Sequence, residues 1–115
     1  MRFDDYQKEI IKYDIDAPKD VHDPRDPGFM TKVLGVGGEA GEVQEKFKKI
    51  LRDKDGQMTE EDKGEIVKEL GDVLWYLATI ARYLDVPFSE VAKKQLEKAQ
   101  SRLERGKLGG SGDNR

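Results

Sequence analysis

"EIVKELGDVLWYLA", residues Glu65 to Ala78, is the stretch whose reading decides the fold. Ile66, Leu70, Val73 and Leu77 recur at helical spacing and make an apolar stripe that Glu69 borders. From Val73 to Ala81 the residues "VLWYLATIA" are apolar nearly all round the helix. That pattern predicts a helix buried on most sides, in a domain this small against a partner subunit as well. Asp72 heads the run, and an unpaired carboxylate there is expensive to desolvate. No basic residue between Val73 and Ala81 can neutralise it. A cap or an internal hydrogen bond to a Tyr or Trp is one solution, and a divalent cation is the other.

Outward from this helix the chain reads as helical throughout. Phe3, Tyr6, Ile10 and Tyr13 mark a first helix over about residues 2–14. "DAPKDVHDPRDPG" follows as a loop, punctuated by Pro18, Pro24 and Pro27. A second helix is expected from about Phe29 to Arg52, with Val33, Val36, Ala40, Val43, Phe47, Ile50 and Leu51 on one stripe. Thr59 can cap a third helix over about 60–84, and Ser89 a fourth ending near Arg105. No strand pattern occurs. The expectation is an all-α, four-helix bundle-like domain over residues 1–105, completed by oligomerisation, with a glycine-rich tail over 106–115 that is mobile unless it folds over something.

Composition narrows the function classes. Of 115 residues, 36% are apolar and 39% charged, a thin core for a monomer. The net charge of -3 argues against general nucleic-acid binding. There is no cysteine and one histidine, His22, which excludes thiolate sites and argues against a histidine-rich zinc site. No apolar run approaches membrane-spanning length and the N-terminus lacks an apolar signal core, so a soluble, cytoplasmic protein is expected.

A second acidic segment, "VGGEAGEVQEKF" (Val36–Phe47), spaces Glu39, Glu42 and Glu45 three apart. On a helical wheel Glu39 lies about 80° from the stripe centre, Glu42 about 60° further round, and Glu45 on the far side. One reading is a solvated face, with Glu42–Lys46 and Glu45–Lys49 paired at i,i+4. The other joins Glu39 and Glu42 to Glu69 and Asp72: two helices offering carboxylates toward one groove can surround a hard cation such as magnesium. Gln95, Lys98 and Arg102 share a face of the fourth helix, where cations can hold a triphosphate or simply pair with Glu97 and other acids. Trp75, Tyr76 and Phe29 are aromatic enough to stack on a base, although core packing is the commoner use. "DKDGQMTEED" fails as a calcium loop, because Leu51 occupies its first ligand position and Asp62 its twelfth. No P-loop is present.

"GEAGEV" (Gly38–Val43) followed by "KELGDVLWYL" (Lys68–Leu77) resembles the MazG-like nucleotide pyrophosphohydrolases, all-α relatives of the dimeric dUTPases. Their pattern is E-E-x-x-E on one helix and E-x-x-D on the next. The resemblance implies that Glu39, Glu42, Glu69 and Asp72 coordinate magnesium, with manganese as a substitute. Gly38 stands where relatives carry the first glutamate, and Glu45 lies beyond the pattern. Relatives also carry N-x-x-K-x-x-x-R, matched here by Lys98 and Arg102 with Gln95 in place of the asparagine. The implied activity is hydrolysis of a nucleoside triphosphate, a dNTP by expectation, to monophosphate and pyrophosphate in house-cleaning or pool control. The implied assembly is a homodimer or homotetramer. Glu42, pointing furthest from the core of the four, is the expected proton acceptor. The competing expectation is a non-catalytic helical interaction module with an ion-stabilised acidic groove.

Overall fold

The computed structural model describes residues 1–115. Four helices form, α1 (Phe3–Ile10), α2 (Pro27–Asp53), α3 (Glu60–Tyr83) and α4 (Phe88–Glu104), with a 3-10 turn at Ile11–Tyr13 after α1. There are no strands, so the chain is all-α. Thr59 caps α3 as expected: its hydroxyl accepts from Asp62 N–H, and the Asp62 carboxylate accepts from Thr59 N–H at 2.9 Å. Helix α2 begins two residues before the expected Phe29. Asp26 is its N-cap, accepting from Gly28 N–H at 2.8 Å, and Pro27 fills the first helical position. Ser89 does not cap α4; Pro87 holds the N-cap position, and Ser89 donates from its N–H and hydroxyl to Asp4 on α1.

Helices α2 and α3 run antiparallel along their lengths, paired at Lys54–Asp62 near their junction and at Lys46–Glu69 further along. Tyr76 then lies against Gly35, where no side chain intervenes. The turn before α3 uses left-handed backbone at Asp55 (φ 52°) and Gly56 (φ 76°), a polar helix stop in place of a calcium loop. At the other end of α3 a small core gathers Ile10, Ala78, Ala81 and Phe88, with Tyr6, Leu74 and Trp75 packed against it. Gln7 fastens this corner: its amide donates to Ala78 O and Val86 O and accepts from Phe88 N–H.

Burial falls short of the expected bundle. Only 13 of 115 residues are buried, and the radius of gyration is 17.0 Å, against about 13 Å for a compact chain of this length. On α2, Ile50 is buried but Val33, Phe47 and Leu51 are exposed. On α4, Leu96 and Leu103 face solvent. In "VLWYLATIA", Ala78, Thr79 and Ala81 are buried, Leu77 is exposed and Val73 to Tyr76 are half-buried. Within one chain, α1 and α4 cover only the C-terminal part of α3, which leaves the rest of that helix as the face expected to meet a partner subunit.

Candidate functional site

Helix geometry assembles three of the predicted acids. Glu39 on α2, and Glu69 and Asp72 one turn apart on α3, each offer a carboxylate oxygen within 4.8 Å of the others. Antiparallel pairing brings the two helix faces together at this level. Asp72 is exposed, so the desolvation argument for it fails; its case rests on convergence with the other two. Burial first, then the charges of Asp72, Glu69 and Glu42, raise the Glu39 carboxyl above its ordinary value. Crowded like charges of this kind favour a bound cation. Three carboxylates brought together on two helices are the oxygen-only donor set that a hard divalent ion such as magnesium takes, so the residues present fit one.

Glu42 is exposed, stands outside this triad and contributes to it through its charge on Glu39. The expected i,i+4 pairs on α2 do not form. Lys46 reaches across to Glu69 at 3.6 Å, and Glu45 pairs with Lys48 at 3.0 Å. Glu45 thus takes no part in the cluster. Gly37, Gly38 and Gly41 have nothing within 4 Å of where a side chain would start, which leaves open space along this face of α2.

Beyond the acids, one turn along α3, a cavity of about 320 Å³ opens between α2, α3 and the segment after α1. Tyr13, Lys32, Trp75 and Tyr76 line it. The rings of Trp75 and Tyr76 meet edge to face at 5.0 Å. Phe29 is excluded from such a role, since it is buried against Tyr83 at 5.2 Å.

Sequence reasoning missed the charged network behind this cavity. The buried Asp14 carboxylate pairs with Lys32 at 3.0 Å and accepts from Arg82 and from the Tyr83 hydroxyl. Burial and then the Asp14 hydrogen bond push the Tyr83 phenol upward. Lys32 also donates to Asp16 O at 3.2 Å. A lysine beside Phe29 and Val33 on an apolar stripe was the available signal. His22 Nδ1 lies 3.0 Å from Tyr83 O, which ties the aspartate-rich loop to the end of α3.

The α4 cations are present but engaged. Gln95 and Lys98 border an open groove that Arg102 does not line. Lys98 Nζ lies 3.2 Å from Asp113, and Arg102 donates to Asp113 O at 2.7 Å. Neither pairs with Glu97, whose partners are Lys93 and Lys94.

These features define a class: the model for the MazG nucleotide pyrophosphohydrolase domain matches residues 29–106, and the chain belongs to that family. The match takes in α2 from Phe29 onward and all of α3 and α4. Among curated proteins, the chain is similar to the Gene 37 protein of Mycobacterium phage L5, 52% identical over 88 residues, covering 76% of this chain and 77% of that protein. No solved structure matches.

Proposed function

We propose that the protein hydrolyses a nucleoside triphosphate, a dNTP by preference, to the monophosphate and pyrophosphate, in a house-cleaning or pool-balancing role. The convergence of Glu39, Glu69 and Asp72, on the helices that carry the family match, supports this reading. These three carboxylates would hold magnesium, or manganese in its place. The ion, when bound, would offset phosphate charge and lower the pKa of a coordinated water.

The chain's own groups have separable tasks. Glu42, free of the triad and beside it, accepts the proton of the attacking water. Lys98 and Arg102 hold the triphosphate tail, with Gln95 alongside. The cavity lined by Trp75, Tyr76 and Tyr13 seats the nucleoside, one turn of α3 from Asp72.

A second copy of the chain completes the domain in this account. The radius of gyration and the exposed Leu34, Val67, Leu70, Leu77, Leu96 and Leu103 support a homodimer or homotetramer. Light scattering after gel filtration checks it; a monomer at micromolar concentration rejects it. No helix is long and apolar enough to cross a membrane. The catalytic reading is tested by incubating the folded protein with magnesium and each common and modified (d)NTP. Turnover of none of them favours the alternative, a non-catalytic interaction module with an ion-stabilised acidic groove.

A further inference from the structure

The glycine-rich tail folds into a loop against the end of α4. The Arg115 guanidinium sits inside it and donates to the carbonyls of Lys107, Leu108, Gly109 and Gly112. Arg105 donates to the Arg115 backbone oxygen at 2.7 Å. Left-handed backbone at Gly106, Gly110 and Gly112 lets the chain curl this tightly. The loop presents Asp113 to α4. Its carboxylate lies 3.2 Å from Lys98 Nζ and 3.5 Å from Arg102, while Arg102 also donates to Gly112 O and Asp113 O.

We infer that Asp113 is an intramolecular occupant of the phosphate subsite, a latch that a polyphosphate displaces to reach Lys98 and Arg102. The inference rests on the reading of those two cations as phosphate-binding. Lys98, then Arg102, hold the Asp113 carboxyl below its ordinary value, so it is charged at neutral pH. A carboxylate and a phosphate oxygen repel when they share the same two cations. The two states are therefore exclusive, and apparent affinity for any phosphate ligand is the intrinsic affinity multiplied by the fraction of molecules with the latch open.

The contacts also set the latch strength. Asp113 is 84% exposed, so its ion pairs are weak and readily exchanged. Arg102 is 11% exposed, and its buried Nε has no partner. Displacing the tail frees its forked donors for a ligand. Exposed pairs of this kind correspond to about a two- to fivefold effect on affinity.

Calorimetric titration of the full-length protein with inorganic tripolyphosphate, without magnesium, tests this. Asp113→Asn should bind about two- to fivefold tighter than the parent, and Asp113→Glu should restore the parent affinity. Lys98→Ala should weaken binding, and adding Asp113→Asn to it should recover much less than in the parent. If Lys98→Ala weakens binding but Asp113→Asn is no tighter than the parent, the latch is wrong and the phosphate subsite stands. An equal gain from Asp113→Asn with and without Lys98 also overturns it, as a general charge effect. If Lys98→Ala and Arg102→Ala both bind like the parent, the phosphate reading fails and the latch with it.

Discussion

The Tyr76 ring fills the space that a side chain on Gly35 would need: a Cβ there would lie 2.2 Å from Tyr76 Cε1. This contact sits between the acidic triad and the buried Asp14 network, and it sets how closely α2 and α3 approach. Glycine in a helix interior costs about 1 kcal/mol relative to alanine, so Gly35→Ala would stabilise an open site. Here the clash outweighs that gain, and a net loss of about 1–2 kcal/mol is expected in urea denaturation. In a Tyr76→Ala background the same substitution should become neutral or stabilising, a non-additivity that a double-mutant cycle reads directly.

Asp14 is the common partner of Lys32, Arg82 and Tyr83, with 1% of its side chain exposed. Removing it leaves Lys32 charged and buried without its counter-ion. Asp14→Ala should cost about 3–5 kcal/mol of stability, whereas Lys12→Ala, at an exposed lysine paired with Glu9, should cost under about 1 kcal/mol. Chemical denaturation of the two variants compares them.

Glu42 and Glu45 lie three residues apart on α2, and the structure keeps them apart as the helical wheel does. Glu42 lies beside the triad, while Glu45 is paired with Lys48. Glu42→Ala should lower kcat by about 10²- to 10⁴-fold, as loss of a general base does. Glu45→Ala should stay within about twofold of the parent, since it removes only a surface pair. Equal damage from both would refute the assignment.

Asp62 supplies a pH signature. Lys54 first, then the Thr59 N–H, hold its carboxyl down at about 2, from an ordinary 3.8. A depressed carboxyl stabilises the fold above its unfolded value, and that contribution disappears as pH falls toward the folded one. Asp62→Asn should therefore melt below the parent at pH 7, and the gap should close between about pH 4 and pH 2. A gap independent of pH would mean that the pairing contributes through shape alone.

Much of the architecture was legible because apolar spacing and caps are local. Thr59 with Asp62, and the period of Ile66, Leu70 and Val73, locate α3 without tertiary information. The Asp26-Pro27 start of α2 was readable too, but the proline density of the preceding loop masked it. Relations between distant positions were not legible. Gln7 meets Val86, and Asp14 meets Arg82, across most of the chain, and neither residue type announces a buried role. The sequence placed Asp72 within an apolar surround, yet it is exposed, because periodicity reports a face and not what covers it. The i,i+3 acids on two helices pointed to a set of four, Glu39, Glu42, Glu69 and Asp72, of which three converge. The wheel separated Glu45 from Glu39 and Glu42 but kept Glu42 with the ligands, because an angle on one helix does not tell how far an acid stands from the next helix.

The triad of Glu39, Glu69 and Asp72 carries the functional reading, and phosphorus NMR of a turnover mixture tests it most directly. With magnesium and a nucleoside triphosphate that the parent accepts, the spectrum should lose all three triphosphate resonances and gain those of a monophosphate and pyrophosphate. Asp72→Asn, folded by circular dichroism, should leave the triphosphate intact. Diphosphate and inorganic phosphate as products, or full turnover by Asp72→Asn, would contradict the account.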